Sequence, residues 1–293
     1  MPRSTLIVGC GYLGRRVGQR LANRHETVFG TTRSAARAGE LHAWGITPII
    51  ADVLQPESLA NLPEVDRVLY CVGFDRSAGV PMRRVYVDGL RNVVDALKGK
   101  TARLIYVSAT SVYGQNDGGW VDESSETEPA TESGRVCLDA EKTVAETALS
   151  WVIVRYSGLY GPGRIVRRAA LERGEPILGD PGKWLNLIHI DDAATAAITA
   201  LDSGAPGRVY LATDDRPLER REYYTQAAIW LGAPAPAFMK PEPGSAEASR
   251  EDSNKRVSNR RIKEELGFSL AYPSVMDGLP ATIDEERLRG AGR

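Results

Sequence analysis

Apolar and polar positions in the first half of the chain fall into short blocks whose period switches repeatedly between that of a strand and that of a helix. Leu6, Ile7 and Val8 form a brief apolar run, and Arg15 to Ala22 follow with helical spacing. The same reading predicts strands at Thr27 to Thr31, Pro48 to Ala51, Arg67 to Val72 and Arg103 to Val107. Helices are expected from about Ser34 to Trp44, briefly at Pro56 to Leu62, and from Met82 to Leu97. Strands alternating with helices predict an α/β fold with a doubly wound parallel sheet, whose strand ends converge on one ligand-binding edge. Two stretches read as loops. Gln115 to Gly134 is acidic and rich in Ser, Thr and Gly, where a lid or substrate loop would sit, and Gly232 to Asn254 carries four prolines. No repeat of solenoid period is visible.

The first apolar run leads directly into Gly9, Gly11 and Gly14, spaced G-x-G-x-x-G between a predicted strand and a predicted helix. In that context Gly9 permits a tight turn, Gly11 permits close approach of backbone to a pyrophosphate, and Gly14 lets the helix lie against the sheet. Phosphate then sits on the helix N-terminus, so Tyr12 and Leu13 of the loop join the cofactor candidates. The end of the second strand indicates which dinucleotide. An NAD-selecting protein places an acid there, but this stretch has none. Arg33 follows Gly14 by nineteen residues, flanked by Thr31, Thr32 and Ser34. A guanidinium beside hydroxyls suits a 2′-phosphate, so NADP is expected rather than NAD.

Composition narrows the class further. Net charge is −1 with acids and bases interspersed, so nucleic acid and anionic membranes are not expected partners. Cys10, Cys71 and Cys137 stand singly and there are three histidines, which fits a reducing compartment and no metal site. Residues 1–5 run straight into the first strand and no apolar stretch is long enough to span a bilayer, so a soluble cytoplasmic protein without a signal peptide is expected.

From Tyr106 onward, three motifs follow in order: Tyr106-Val-Ser-Ala-Thr-Ser-Val-Tyr-Gly114, Val154-Arg-Tyr-Ser-Gly-Leu-Tyr-Gly-Pro-Gly-Arg164 and Ile188-His-Ile-Asp-Asp192. The chain resembles the extended and atypical short-chain dehydrogenase/reductases, the NAD-dependent epimerase/dehydratase family. Asp215-Arg-Pro217, Lys255-Arg-Val-Ser-Asn259, Leu266-Gly267 and Tyr272-Pro273 are similar to the tail of one atypical branch. The resemblance implies a Rossmann domain over 1–163, with 188–213 returning to it, and a C-terminal substrate lobe in the remainder of 164–293. It implies that Asp52 contacts adenine and that Val72 and Gly73 lie by the cofactor. Its chemistry uses a Tyr as proton carrier, a Lys one helical turn later that lowers the Tyr pKa and binds ribose, and a Ser or Thr that orients the substrate oxygen.

This sequence departs from that pattern. Lys142 is present, but the Tyr position holds Leu138 and the strand position holds Ala109. Ser108, Thr110, Ser111 and Tyr113 adjoin the gap and are the candidate replacements, although a one-residue shift in a strand reverses the face presented. Asp191 and Asp192 open an alanine-rich helix and read as capping acids beside His189. Arg164, Lys255 and Arg256 match basic positions that face anionic substrates in some relatives. The substrate pocket is expected to be bordered by Ala109 to Tyr113, Leu138, Gly158 to Arg164 and Asn186 to His189. Two functions are compatible with these residues. One is an NADP-dependent oxidoreductase or epimerase for a small hydroxyl, carbonyl or sugar-type substrate, with a homodimer allowed; the other is a non-catalytic NADP(H)-binding sensor.

Overall fold

The computed structural model describes residues 2–291 apart from 246, 247, 249, 250 and 252. The chain begins with β1 (Ser4–Val8), α1 (Gly14–Ala22), β2 (Thr27–Thr32), α2 (Ala35–Ala43), β3 (Thr47–Ile50), β4 (Arg67–Tyr70), α3 (Gly89–Ala96) and β5 (Arg103–Ala109). It continues with β6 (Trp120–Val121), α4 (Glu132–Ala145), β7 (Ser150–Tyr156), β8 (Gly158–Tyr160), α5 (Arg168–Glu172), β9 (Ile177–Leu178), β10 (Trp184–Leu185) and β11 (Leu187–His189). The last elements are α6 (Ile190–Ser203), β12 (Arg208–Ala212), β13 (Leu218–Glu219), α7 (Arg220–Leu231), β14 (Phe238–Met239), β15 (Arg256–Val257) and helices Arg260–Leu266 and Val275–Ala291.

Seven strands form one sheet in the order β12-β7-β5-β4-β1-β2-β3, and the neighbouring pairs from β3 through β5 are parallel. Leu6 stands opposite both Phe29 and Val68, and Val68 opposite Leu104, so the expected doubly wound sheet is present and in register. The order reverses between β1 and β4, which opens a crevice beyond their carboxyl ends. Leu6, Ile7 and Val8 are fully buried because helices cover both faces, which is why β1 is apolar at successive positions rather than at alternate ones. At the other end of the strands, buried Arg67 ties Thr5, Glu26 and Asp202 together.

The helix expected over Met82 to Leu97 contains a π-wound stretch, Arg84–Asp88, ahead of α3. The stretch from Gln115 to Gly134 is only partly loop: it contains β6, which pairs with β15, and α4 begins within it at Glu132. Gly232 to Asn254 contains β14, paired with β9, and several of its residues lie outside the described ones.

The chain divides into two compact units: Met1–Ala109 with Ser133–Arg155 and Ala194–Tyr210, and Thr110–Glu132 with Tyr156–Ala193 and Leu211–Arg293. This differs from the division at 163, because the segment after β5 and the one after Arg155 cluster with the second unit, while the returning segment is shorter than 188–213. The first unit is built on the sheet core, with Val68, Leu90, Val93, Leu104 and Ile153. The second has its own core, including Tyr160, Leu187, Leu218, Tyr223 and Leu279. Among the described residues no helix is long and apolar enough to cross a membrane.

Arg155 on β7 and Glu141 on α4 form a buried pair, with Arg155 Nη2 2.6 Å and Nε 2.9 Å from the carboxylate. Arg155→Leu strands that carboxylate out of water and should cost about 3–5 kcal/mol of stability, read as a lower urea midpoint with unchanged slope.

Candidate functional site

The turn after β1 is set by close backbone approach. Gly9 has φ +94°, and a Cβ placed there falls 2.8 Å from both N and Cα of Val72. A Cβ on Gly14 falls 2.5 Å from the Gly9 carbonyl oxygen and 2.9 Å from Cys71 Sγ. Gly9 N–H donates to Thr31 Oγ1 at 2.9 Å, and Cys10 N–H to the Thr31 carbonyl at 3.2 Å, tying the turn to β2. At Gly11 and Gly73, by contrast, a Cβ meets no protein atom within 4 Å: these two glycines open onto free space. No side chain caps the N-terminus of α1. Room, bare backbone and an uncapped helix end together fit a pyrophosphate.

Beyond this turn lies a cleft of roughly 280 Å³. Gly9, Gly11, Thr32, Arg33, Asp52, Val72 and Gly73 all line it. Tyr12, Leu13, Gly14, Ser34 and Lys142 do not. The Leu13 side chain is buried, the Tyr12 ring packs on the Arg16 guanidinium, and Ser34 N–H caps onto Thr32 Oγ1. Asp52 Oδ1 accepts from Leu54 N–H at 2.9 Å, which fixes that carboxylate at the cleft wall. Val53, Leu54, Phe74 and Val80 supply an apolar side. Two charged lining residues were missed from sequence, Arg37 and Asp75. Arg37 stands in the opening turn of α2, while Arg33 precedes the extended N-cap Ser34, so no helical spacing linked the two in the sequence.

The catalytic candidates are each held by contacts within their own unit. Leu138 is half-buried on α4, while Lys142 is exposed with Nζ 3.4 Å from Asp139 Oδ1. Asp139 is itself held 2.6 Å from Arg83, which keeps its carboxyl below the usual range. Ser108 is buried, and its hydroxyl donates to Glu141 Oε1 at 2.5 Å, on the carboxylate that Arg155 grips. Ala109, next on the strand, faces the opposite way. Thr110 and Ser111 are half-buried in the 3-10 turn Thr110–Val112, and Tyr113 is buried. The buried Ser108–Glu141–Arg155 unit was not read from sequence, because nothing local distinguishes Glu141 from an exposed helix acid.

The second unit assigns its motif residues to structure. His189 is enclosed between Tyr160 and Tyr272, with Nε2 3.2 Å from Thr282 Oγ1. Its Nδ1 accepts from Asp191 N–H at 3.2 Å. Asp192 is buried and accepts from Ala271 and Tyr272 N–H at 2.8 and 2.9 Å, so it ties in a distant segment as well as opening α6. Arg164 is exposed, its backbone paired with Gly161. Arg256 lies between the Trp120 and Trp184 rings and donates to the Gly118 carbonyl at 2.9 Å. Lys255 is buried, its amine donating to the Tyr113 carbonyl at 2.8 Å and to Ser253 Oγ at 2.5 Å. Burial without a carboxylate pulls its pKa down to about 8. Burial also pushes the Cys10 thiol up to about 12 and the Cys71 thiol upward. Among the described residues no group of three or more His, Cys, Asp and Glu could hold a metal ion.

Sheet order and glycine turn define a Rossmann protein of the dinucleotide-binding class. The chain belongs to the NAD dependent epimerase/dehydratase family, which matches residues 5–212. By family it is an NAD(P)-dependent enzyme of the oxidoreductase and epimerase class. It is 30% identical to Protein YeeZ of Escherichia coli over 281 residues, covering 94% of this chain and 98% of that one. It is 27% identical to a 3-diazoavenalumate denitrifying reductase of a Streptomyces species, covering 94% and 98%. A functionally unknown conserved protein from Silicibacter pomeroyi superposes with TM-score 0.80 at 29% identity, covering 97% of this chain and 99% of that one.

Lys255 yields a pH test. Its folded pKa of about 8 lies below its ordinary value of 10.5, so between these values the unfolded chain binds the extra proton and the amine's contribution to stability rises with pH. The buried thiols act oppositely above pH 8, so the comparison must be with Lys255→Met. The stability of Lys255→Met relative to wild type should fall by about 3 kcal/mol from pH 7 to pH 10, measured by urea unfolding at each pH.

Proposed function

We propose that the chain is an NADP(H)-dependent oxidoreductase or epimerase acting on a small hydroxyl, carbonyl or sugar-type compound, with proton transfer that does not use the family tyrosine. The observation that carries the cofactor choice is the pair Arg33 and Arg37, which line the cleft just where an NAD-selecting protein presents an acid. When bound, NADP(H) supplies hydride exchange at nicotinamide C4. The chain's own residues bind and orient it. Gly9, Gly11 and Gly73 leave the backbone bare beside the pyrophosphate, the N-terminus of α1 faces its charge, Asp52 accepts from the adenine amino group, and Val53, Leu54 and Phe74 keep water from the base. Thr32, Arg33 and Arg37 hold the 2′-phosphate.

Lys142 is the ribose ligand in this reading, reached by exchanging its exposed contact with Asp139 for ribose hydroxyls. Such a surface pair is worth about 0.2–1 kcal/mol, so the exchange is inexpensive. Leu138 can neither give nor take a proton. Ser108 is committed to Glu141, which leaves Thr110, Ser111 and Tyr113 as the hydroxyl groups of the motif for that step. Leu138 and Ala109 leave the family's proton carrier and orienting hydroxyl without a counterpart at those two positions.

Two measurements test this proposal, the first its cofactor and the second its proton transfer. In fluorescence titrations, Arg33→Ala should weaken NADPH about ten-fold or more and leave NADH within two-fold, with Arg37→Ala acting in the same direction; charge-assisted hydrogen bonds are worth about 1.5–3 kcal/mol each. Equal losses for both cofactors would remove the arginines from this role. Wild-type turnover of simple carbonyl or sugar-nucleotide substrates should be slow, because a positioned acid–base group is worth about 10²–10⁴ in rate. The double variant Leu138→Tyr with Ala109→Ser should raise it if the geometry survives. Fast wild-type turnover destroyed by the double variant would show that another residue already does this work.

A further inference from the structure

Arg33 has a competitor inside the cleft. Asp75, in the loop after β4, lines the same cleft as Arg33 and Arg37. Its Oδ1 is fixed, accepting from Ser77 N–H at 3.0 Å and Ser77 Oγ at 2.6 Å. That leaves Oδ2 turned toward Arg33, 3.5 Å from Nη2. The Ser77 hydrogen bonds hold the carboxyl below its usual range, so it is ionised at neutral pH. Both partners are about half exposed, so the pair is adaptable and screened by salt.

We propose that Asp75 sets the cofactor discrimination of this cleft by competing with the 2′-phosphate for Arg33. The inference rests on the NADP(H) reading of Arg33 and Arg37. A phosphate accepting from the same guanidinium brings close to two negative charges within a few ångströms of Asp75. Two penalties follow: Arg33 must give up its contact with Oδ2, and the carboxylate repels the incoming phosphate. NADH carries only hydroxyl groups at that point, so it meets neither penalty, and a carboxylate is an acceptor for such hydroxyls. Asp75 thus supplies, from the far side of the cleft, the acid missing from the end of β2. The arginines raise the preference for NADPH and Asp75 moderates it.

The test is a binding titration of both cofactors, followed by reduced-cofactor fluorescence, on wild type, Asp75→Asn, Arg33→Ala and the double variant. Asparagine keeps the acceptor for Ser77 and removes only the charge. Asp75→Asn should tighten NADPH by about three- to ten-fold and leave NADH unchanged or slightly weaker, with a smaller gain at high salt. In the Arg33→Ala background the gain should shrink, since only repulsion is left to relieve. If wild type prefers NADPH but Asp75→Asn leaves its affinity unchanged or weaker, the inference is overturned and the cofactor reading stands. If wild type shows no preference and Asp75→Asn creates one, the competition is real and the wild-type cofactor assignment fails. Absence of preference in both proteins overturns both.

Discussion

The cleft at the ends of β1 and β4 depends on one steric constraint, the approach of the backbone at the end of β1 to that at the end of β4. No side chain fits at Gly9, where a methyl group would meet Val72 N and Cα at 2.8 Å, and none fits at Gly14, against the Gly9 carbonyl. On the other side the turn is pressed against β2: a Cβ on Gly30 would fall 2.5 Å from Cys10 Sγ. The turn is therefore clamped between β2 and β4, and its two hydrogen bonds to Thr31 fix its height. The bare faces of Gly11 and Gly73 owe their position to this clamp. A methyl group at Gly9 would shift the cleft floor rather than merely crowd one residue, because interiors packed to this density move their neighbours.

Charged residues in the first unit divide by solvent exposure, and the division matches what each must do. Arg155 and Glu141 are almost wholly buried, and Ser108 satisfies a further lone pair of the carboxylate. A buried ionic unit gains little net stability over an apolar one, but losing one member is costly, so it holds α4, β5 and β7 in a single arrangement. Arg33 with Asp75, and Lys142 with Asp139 and Arg83, are surface pairs. Their partners can be exchanged for ligand groups at small cost. The rigid charges lie under the sheet ends and the exchangeable ones lie at the solvent edge.

Local features were legible in the sequence and tertiary pairings were not. Strand and helix periods located the first five strands to within about two residues, since one buried run of apolar residues suffices for each. Gly9, Gly11 and Arg33 were legible because each stands at a turn or a strand end, whereas Asp52 and Gly73 came from the family resemblance; all five line the cleft. Arg37 was not read, because Arg33 precedes the extended N-cap Ser34 and no helical period carries over to it. Asp75 and Glu141 could not be read, because their partners stand 42 residues away at Arg33 and 33 away at Ser108. Asp192 was read only as a capping acid for the same reason: its carboxylate also reaches 79 and 80 residues along the chain to Ala271 and Tyr272.

The tail motif shows what a family resemblance can and cannot say about chemistry. Lys255 holds the Tyr113 carbonyl and Arg256 the Gly118 carbonyl, while Val257 N–H donates to Asn186 Oδ1 at 2.8 Å. Ser258 N–H donates to the Val121 carbonyl, and Asn259 Nδ2 to Thr213 O and Asp215 Oδ1 at 2.9 and 2.7 Å. Each residue from 255 to 259 is thus used in joining three segments of the second unit, and Asn259 ties this motif to Asp215-Arg-Pro217. An unpaired backbone carbonyl in a buried place costs about 1–3 kcal/mol, which is reason enough for side-chain donors at Lys255, Arg256 and Asn259. Their match to a family pattern therefore reports the architecture of the second unit before it reports contact with any ligand.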